Sequence, residues 1–152
     1  MSAADQVSCD VLVVGSGVAG MSAAITAASR GLKVIVVEKA PYYGGTTARS
    51  GGWLWIPNTQ MAKNLGHHEQ PDQAKTYIAN QAGPNFDEAR VSSFLKHGPA
   101  AVEFFTSKTS VQFDMPLTFP DYHAEAPGAT QGGRSFVTRP LDARELGPLL
   151  KT

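Results

Sequence analysis

Val11-Leu12-Val13-Val14-Gly15-Ser16-Gly17-Val18-Ala19-Gly20 is the stretch that decides the fold. Its four leading residues are apolar and three of them are β-branched, the composition of a strand buried on both faces. Glycines at 15, 17 and 20 then give G-x-G-x-x-G at the strand's carboxyl end, where the chain must turn into a helix. Gly15 permits the tight turn, Gly17 removes a Cβ where a pyrophosphate would approach, and Gly20 lets the helix lie close to the strand. Such a turn offers a helix N-terminus with free N–H groups and about half a positive charge, an anion site built without a basic side chain.

The flanking residues extend this reading. Ala19 to Ala28 is small and apolar, Gly31 stands where the helix should stop, and Lys33 to Val37 reads as a second buried strand. Glu38 ends that strand about 20 residues beyond the glycines, where a carboxylate accepts hydrogen bonds from both ribose hydroxyls of an adenosine. A purely structural βαβ unit needs neither the three glycines nor the acid, and Glu38 alone would be a solvated strand end.

The chain has 152 residues, enough for roughly one domain with a real core. Its 13 basic and 13 acidic residues form no run of either sign, so there is no electrostatic footprint for nucleic acid. The single cysteine, Cys9, excludes an intrachain disulfide framework, suits a reducing compartment, and reads as a small residue at a strand start. Val11 to Ser29 carries no charge, yet its glycines, serines and threonine and the absence of a preceding lysine or arginine argue against a signal peptide or a membrane span. No targeting segment is visible, and the expected location is cytoplasmic. His67 and His68 are adjacent and His97 and His123 isolated, so no metal-ligand spacing emerges. Neither a G-x-S-x-G elbow nor a Cys-His pair points to a covalent nucleophile.

Three regions are expected to follow one another: 9–58, the dinucleotide-binding βαβ unit and flavin loop; 59–110, a helical segment; and 111–152, the start of a substrate-side region. The loop from Lys39 to about Asn58 is long enough to be functional. Helices are expected over Thr59 to Leu65, closed by Gly66, and Pro71 to Gln81, stopped at Gly83-Pro84. A third, capped by Asn85, covers Phe86 to His97, and a fourth starts at Pro99. Val111 to Asp114 and Ser135 to Thr138 read as short strands, and Asp142 to Leu150 begins a helix. Trp53, Trp55, Phe113 and Phe119 either line an apolar cleft or pack in the core. No buried-strand run strong enough to give the third parallel strand follows Glu38, so the missing strands are expected elsewhere.

At Glu38-Lys39, Gly44-Gly45-Thr46-Thr47 and Ser50-Gly51-Gly52 the sequence resembles the FAD-binding domain of the fumarate reductase and succinate dehydrogenase flavoprotein superfamily. Thr46-Thr47-Ala48-Arg49-Ser50-Gly51-Gly52-Trp53-Leu54-Trp55-Ile56-Pro57, with Phe119-Pro120-Asp121-Tyr122, resembles most the 3-ketosteroid Δ1-dehydrogenase branch. The resemblance covers nearly all of the chain. It implies an α/β fold, a Rossmann-like FAD-binding domain with a glutathione-reductase-type ββα start and an incomplete parallel sheet carrying a helical insertion, although the residues themselves read as strand–helix–strand. Members of that superfamily are several-fold longer, with a substrate domain and a return segment that completes the FAD site. The chain therefore looks like an N-terminal part, with the remainder of the flavoprotein expected beyond residue 152.

By the same resemblance Gly15, Ser16, Gly17, Ala19 and Gly20 face the pyrophosphate and Glu38 and Lys39 the adenosine ribose. Gly45, Thr46, Thr47, Ser50, Gly51 and Gly52 face the ribityl chain and flavin edge; small hydroxyl residues and bare amides suit a polyol without filling its space. A merely flexible glycine-rich loop is the competing reading. Thr46-Thr47-Ala48-Arg49 holds no histidine where some relatives attach FAD, so the FAD is expected to be non-covalent. Tyr122 is the implied catalytic residue, a base beside the substrate ketone while hydride passes to flavin N5; a tyrosine packed in a proline-rich turn is the alternative, and Asp121 reads as a turn residue. A phenol of ordinary pKa about 10 needs about 4 kcal/mol of phenolate stabilisation to act as base near neutrality. The implied activity is an FAD-dependent dehydrogenase of a 3-ketosteroid-like or other apolar ketone, a small-molecule substrate. The alternatives are a fumarate-reductase-like enzyme for dicarboxylates and a non-catalytic dinucleotide-binding fragment.

Overall fold

The computed structural model describes residues 6–151. The chain divides into two compact units, Met1–Gly52 and Trp53–Thr152.

In the first unit β1 (Val11–Val14) is followed by α1 (Val18–Ala28) and β2 (Val34–Val37), an order of strand, helix, strand rather than ββα. The two strands pair in parallel, Val11 with Val34 through Val14 with Val37. The Asp10 carboxylate accepts from the Lys33 N–H at 2.8 Å at one end of the pair, and the Gly15 N–H donates to the Val37 carbonyl at 2.7 Å at the other. That second bond carries the ladder into the glycine turn and sets the turn beside the end of β2. Gly20 shows why the helix can return so close: a Cβ there would lie 1.9 Å from the Gly15 carbonyl oxygen and 3.3 Å from Val13 Cγ1.

The expectation of a strand buried on both faces is not met within this unit. Val13 points at α1 and is buried, while Leu12 and Val14, on the opposite side of the pleat, are 58% and 81% exposed. Side chains alternate along a strand, so one helix covers one face. Among the described residues nothing comparable covers the other.

The second unit is built on a three-stranded antiparallel sheet in the order β3 (Trp53–Trp55), β5 (Ser135–Thr138), β4 (Phe113–Asp114). Trp53 pairs with Val137 and Phe113 with Thr138, so β5 is the central strand, and its Phe136 is fully buried. β3 falls within the stretch read as a loop; three residues between Gly52 and Pro57 give too short a run to announce a strand, and its partner lies far along the chain. A 3-10 turn over Gly45–Arg49 also interrupts that loop.

Three helices lie between β3 and β4. α2 (Gln60–Asn64) is capped by buried Thr59, whose hydroxyl accepts from the Ala62 N–H at 3.1 Å. α3 (Gln73–Ala82) ends at Gly83 and leads into a 3-10 turn, Gly83–Asn85. The two helices expected either side of Pro99 are one, α4 (Glu88–Lys108), capped by Asp87 rather than Asn85, with the Asp87 carboxylate accepting from the Arg90 N–H at 3.0 Å. The apolar spacing Val91, Phe94, Leu95, Gly98, Val102, Phe105 runs unbroken through the proline. Tertiary packing offsets a break that costs about 3 kcal/mol in an isolated helix. An ion pair between Lys75 and Glu88 joins α3 to α4. The last element is a 3-10 segment, Ala143–Lys151, kinked at Gly147, instead of a regular helix. No helix among the described residues is long and apolar enough to cross a membrane.

Candidate functional site

The carboxyl ends of β1 and β2 converge on the mouth of α1. Glu38 turns back onto the glycine turn, where its Oε2 accepts from the Ser16 N–H at 2.9 Å and from the Ser16 hydroxyl at 2.5 Å. Its Oε1 accepts from the Ala40 N–H at 2.9 Å. These donors stabilise the charged form, the Ala40 N–H most, then the Ser16 hydroxyl and N–H, and hold the Glu38 carboxyl at about 2, below its ordinary 4.5. The residue is therefore an anion at any neutral pH. Two oxygens offer about four acceptor positions, so capacity remains for a hydroxyl partner.

Ser16 is buried, and its hydroxyl also accepts from the Gly44 N–H at 2.8 Å. One side chain thus ties the glycine turn, the end of β2 and the start of the Gly45–Arg49 turn. A second tie lies alongside: the Val18 N–H donates to Thr47 Oγ1 at 3.1 Å. Thr47, expected beside a ribityl chain, caps the first N–H of α1, and Ser16, expected to face a pyrophosphate, commits its hydroxyl inward. Ser50 closes the next turn, donating to the Thr47 carbonyl at 2.9 Å and accepting from the Gly52 N–H at 3.1 Å. Lys39, Thr46 and Gly51 are exposed, and among the described residues the Lys39 and Thr46 side chains make no hydrogen bond.

An adenine dinucleotide fits what this arrangement leaves open. A Cβ built at Gly15, whose φ is +96°, meets nothing within 4 Å, and one at Gly17 meets only Thr47 Oγ1 at 3.9 Å. Among the described residues no protein acceptor faces the N–H groups of Ala19 and Gly20. Bare amides at a helix N-terminus beside an ionised strand-end carboxylate match a pyrophosphate and a ribose respectively.

In the second unit Tyr122 is 96% exposed, so it is not packed into its turn. Its neighbours are held from both sides. Asp121, expected to be a simple turn residue, is buried: its Oδ2 accepts from Arg134 Nη1 at 2.7 Å and from the Thr130 N–H at 3.0 Å, and its Oδ1 from the Trp55 indole N–H at 2.7 Å. Arg134 is fully buried and also donates from Nη2 to Glu69 Oε2 at 2.7 Å and to the Gly128 carbonyl at 2.9 Å. Its guanidinium lies over the rings of Trp55 and Tyr77, 5.4 and 5.6 Å from their centroids. On the other side of Tyr122 the His123 N–H donates to the Tyr77 hydroxyl at 3.3 Å. Sequence reasoning missed this cluster: Arg134 stands between Gly133 and the short strand Ser135–Thr138, where nothing local marks it as buried. Of the four aromatics weighed for a cleft, Trp55 packs near Tyr77 and Phe94, and Phe113 sits edge-on to Phe136. Trp53, half exposed, stacks on Phe119 at 4.3 Å.

A family described as FAD binding domain matches residues 10–152. The chain is 46% identical over 138 residues to a 3-oxosteroid 1-dehydrogenase of Mycobacterium tuberculosis, a match covering 91% of the chain and 24% of that protein. It is 46% identical over 141 residues to a 4-oxocyclohex-2-ene-1-carboxylate 5-dehydrogenase of Sinomonas cyclohexanicum, covering 93% and 24%. Among solved structures, a 3-ketosteroid delta1-dehydrogenase from Sterolibacterium denitrificans in complex with 1,4-androstadiene-3,17-dione superposes with a TM-score of 0.84 at 38% identity, covering 94% of this chain and 25% of that one. The chain therefore spans about a quarter of the length of the relatives it matches.

Proposed function

The chain belongs to the FAD binding domain family, and from that premise we propose that it is the FAD-holding part of a dehydrogenase that oxidises a CH–CH bond beside a ring ketone. The observation that carries the cofactor half is the Ser16–Glu38 junction, which sets an ionised carboxylate against the open amides of α1. Ala19 and Gly20 would hold phosphate oxygens, Glu38 a ribose hydroxyl, and the Gly45–Arg49 turn and Ser50 to Gly52 the polyol and flavin edge. Bound FAD supplies a two-electron acceptor for the hydride that such an oxidation releases. The chain offers no histidine at Thr46 to Arg49, which supports non-covalent binding.

The substrate half rests on the relatives. The steroid and the cyclohexene carboxylate that their names give share an oxo group on a six-membered ring. Tyr122, exposed on a turn fixed from both sides, would take the proton next to that oxo group. A dicarboxylate substrate calls for free cationic side chains. In 111–152 Arg134, Arg139 and Arg144 are each paired with a carboxylate, Asp121, Asp114 and Asp142 respectively. That region we assign to the substrate side, and the single cysteine supports a reducing, cytoplasmic setting.

The test is turnover by the full-length flavoprotein, loaded with FAD and given a dye acceptor. A 3-ketosteroid and a 2-cyclohexenone carboxylate are compared with succinate and fumarate. Oxidation of a ring ketone is expected; turnover of dicarboxylates alone would overturn the substrate reading. A purified protein that holds no flavin with either Glu38 or Gln at that position would overturn the cofactor reading.

A further inference from the structure

We propose that Trp55, Tyr77 and the Asp121–Arg134 pair form a clamp that positions Tyr122, holding the backbone on each side of it while leaving its side chain free. The inference rests on the reading of Tyr122 as the proton acceptor, and adds to it the residues through which the fold delivers that phenol.

The asymmetry around residue 122 is the starting point. Asp121 is 4% exposed and Tyr122 96%, although they are adjacent. Asp121 spends both carboxylate oxygens on fixed partners, Trp55 Nε1 at 2.7 Å on one, Arg134 Nη1 at 2.7 Å and the Thr130 N–H at 3.0 Å on the other. The Asp121 N–H itself donates to the Thr130 carbonyl at 3.0 Å. Arg134 immediately precedes the central strand β5 and is fully buried, so the anchor lies in the interior of this unit. One residue beyond Tyr122, the backbone is caught again by the Tyr77 hydroxyl from α3. The two catches are themselves linked, because the Arg134 guanidinium lies over both the Trp55 and the Tyr77 rings.

A turn needing only stability would bury its aromatic side chain and need no buried ion pair, whose desolvation makes it a weak source of stability. Here the polar partners are spent on backbone geometry around a side chain that touches little. Misplacing a reacting group by about 1 Å costs up to about a hundredfold in rate, so fixing the backbone on both flanks is what a proton acceptor on a turn requires.

Tyr77→Phe and Trp55→Phe are the informative variants in the full-length, FAD-loaded enzyme. Each removes one hydrogen bond to the turn and keeps a ring against Arg134. Both should lower kcat by about tenfold with KM for the ring ketone, flavin content and melting temperature little changed. In a Tyr122→Phe background, where the phenol is gone, neither should lower the residual rate further, since residues acting through one group are not additive. Unchanged kcat in both variants, with Tyr122→Phe strongly impaired, would overturn the clamp alone. Equal losses in the presence and absence of the Tyr122 hydroxyl would do the same. Full activity of Tyr122→Phe would remove the proton-acceptor reading and the clamp with it.

Discussion

Ser16 and Glu38, 22 positions apart, meet through two hydrogen bonds to one carboxylate oxygen, 2.9 Å from the Ser16 backbone and 2.5 Å from its hydroxyl. The contact joins the glycine turn to the end of β2 and orients the acid at the mouth of α1.

It has a pH signature. Glu38 is held at about 2 against an ordinary 4.5, so its contribution is complete above about 4.5 and is lost as pH falls through about 2. Ser16→Ala removes the second-largest of the stabilising contacts, and its acid-induced release of FAD should begin closer to 4.5 than in the parent. Glu38→Gln should weaken FAD binding by about tenfold or more near neutrality, as expected for a lost charged acceptor. Flavin fluorescence across a pH series reads both.

Two glycines of the turn should fail differently. Gly20→Ala places a methyl 1.9 Å from the Gly15 carbonyl oxygen, where only a backbone shift makes room. It should destabilise the first unit by about 1–3 kcal/mol or more and lower the melting temperature. Gly15→Ala meets no atom within 4 Å but carries φ of +96°. A left-handed alanine costs about 1–2 kcal/mol, while its methyl enters the space left for a ligand. Its loss of FAD affinity should therefore outrun its loss of stability, the reverse of Gly20→Ala.

Opposite signs are expected at neighbouring positions of α4. A Cβ at Gly98 would come 2.8 Å from Ile56 Cγ2, so Gly98→Ala should cost about 1 kcal/mol or more as that side chain moves aside. Pro99 sits inside the helix, and Pro99→Ala restores a backbone N–H to it. It should raise stability by about 1–3 kcal/mol in urea unfolding.

The apolar side of the two-stranded sheet should make the isolated 152-residue chain self-associate. Leu12, Val14 and Val37, which share that face, are 58%, 81% and 42% exposed. Light scattering should show concentration-dependent assembly that Leu12→Lys with Val14→Lys reduces. A monodisperse parent chain at high concentration would contradict this.

The first unit was almost wholly legible because its signals are local. Three glycines, a helix of small residues and an acid at a strand end sit within about one βαβ unit, and each has a single physical use there. Burial of β1 was misread for the opposite reason, since a run of valines reports the covering layers of a whole domain. β3 and the continuity of α4 escaped because three residues cannot show a period, and because Pro99 is a strong local signal that packing overrides. Asp121 was legible as a turn residue but not as the partner of Arg134. Pairing across 13 positions and a cluster of turns leaves no periodic trace.

The central place of β5 also sets an order of events. β3 at 53–55 and β4 at 113–114 touch only through a strand at 135–138, so the antiparallel sheet cannot nucleate from neighbours and must close long loops first. Such non-local pairing is slow, and the entropy of loop closure is spent before any contact repays it. The parallel pair at the N-terminal end forms around a single helical crossover. The polypeptide should thus acquire its glycine turn early and its second sheet late, two kinetic phases that hydrogen exchange during refolding would resolve.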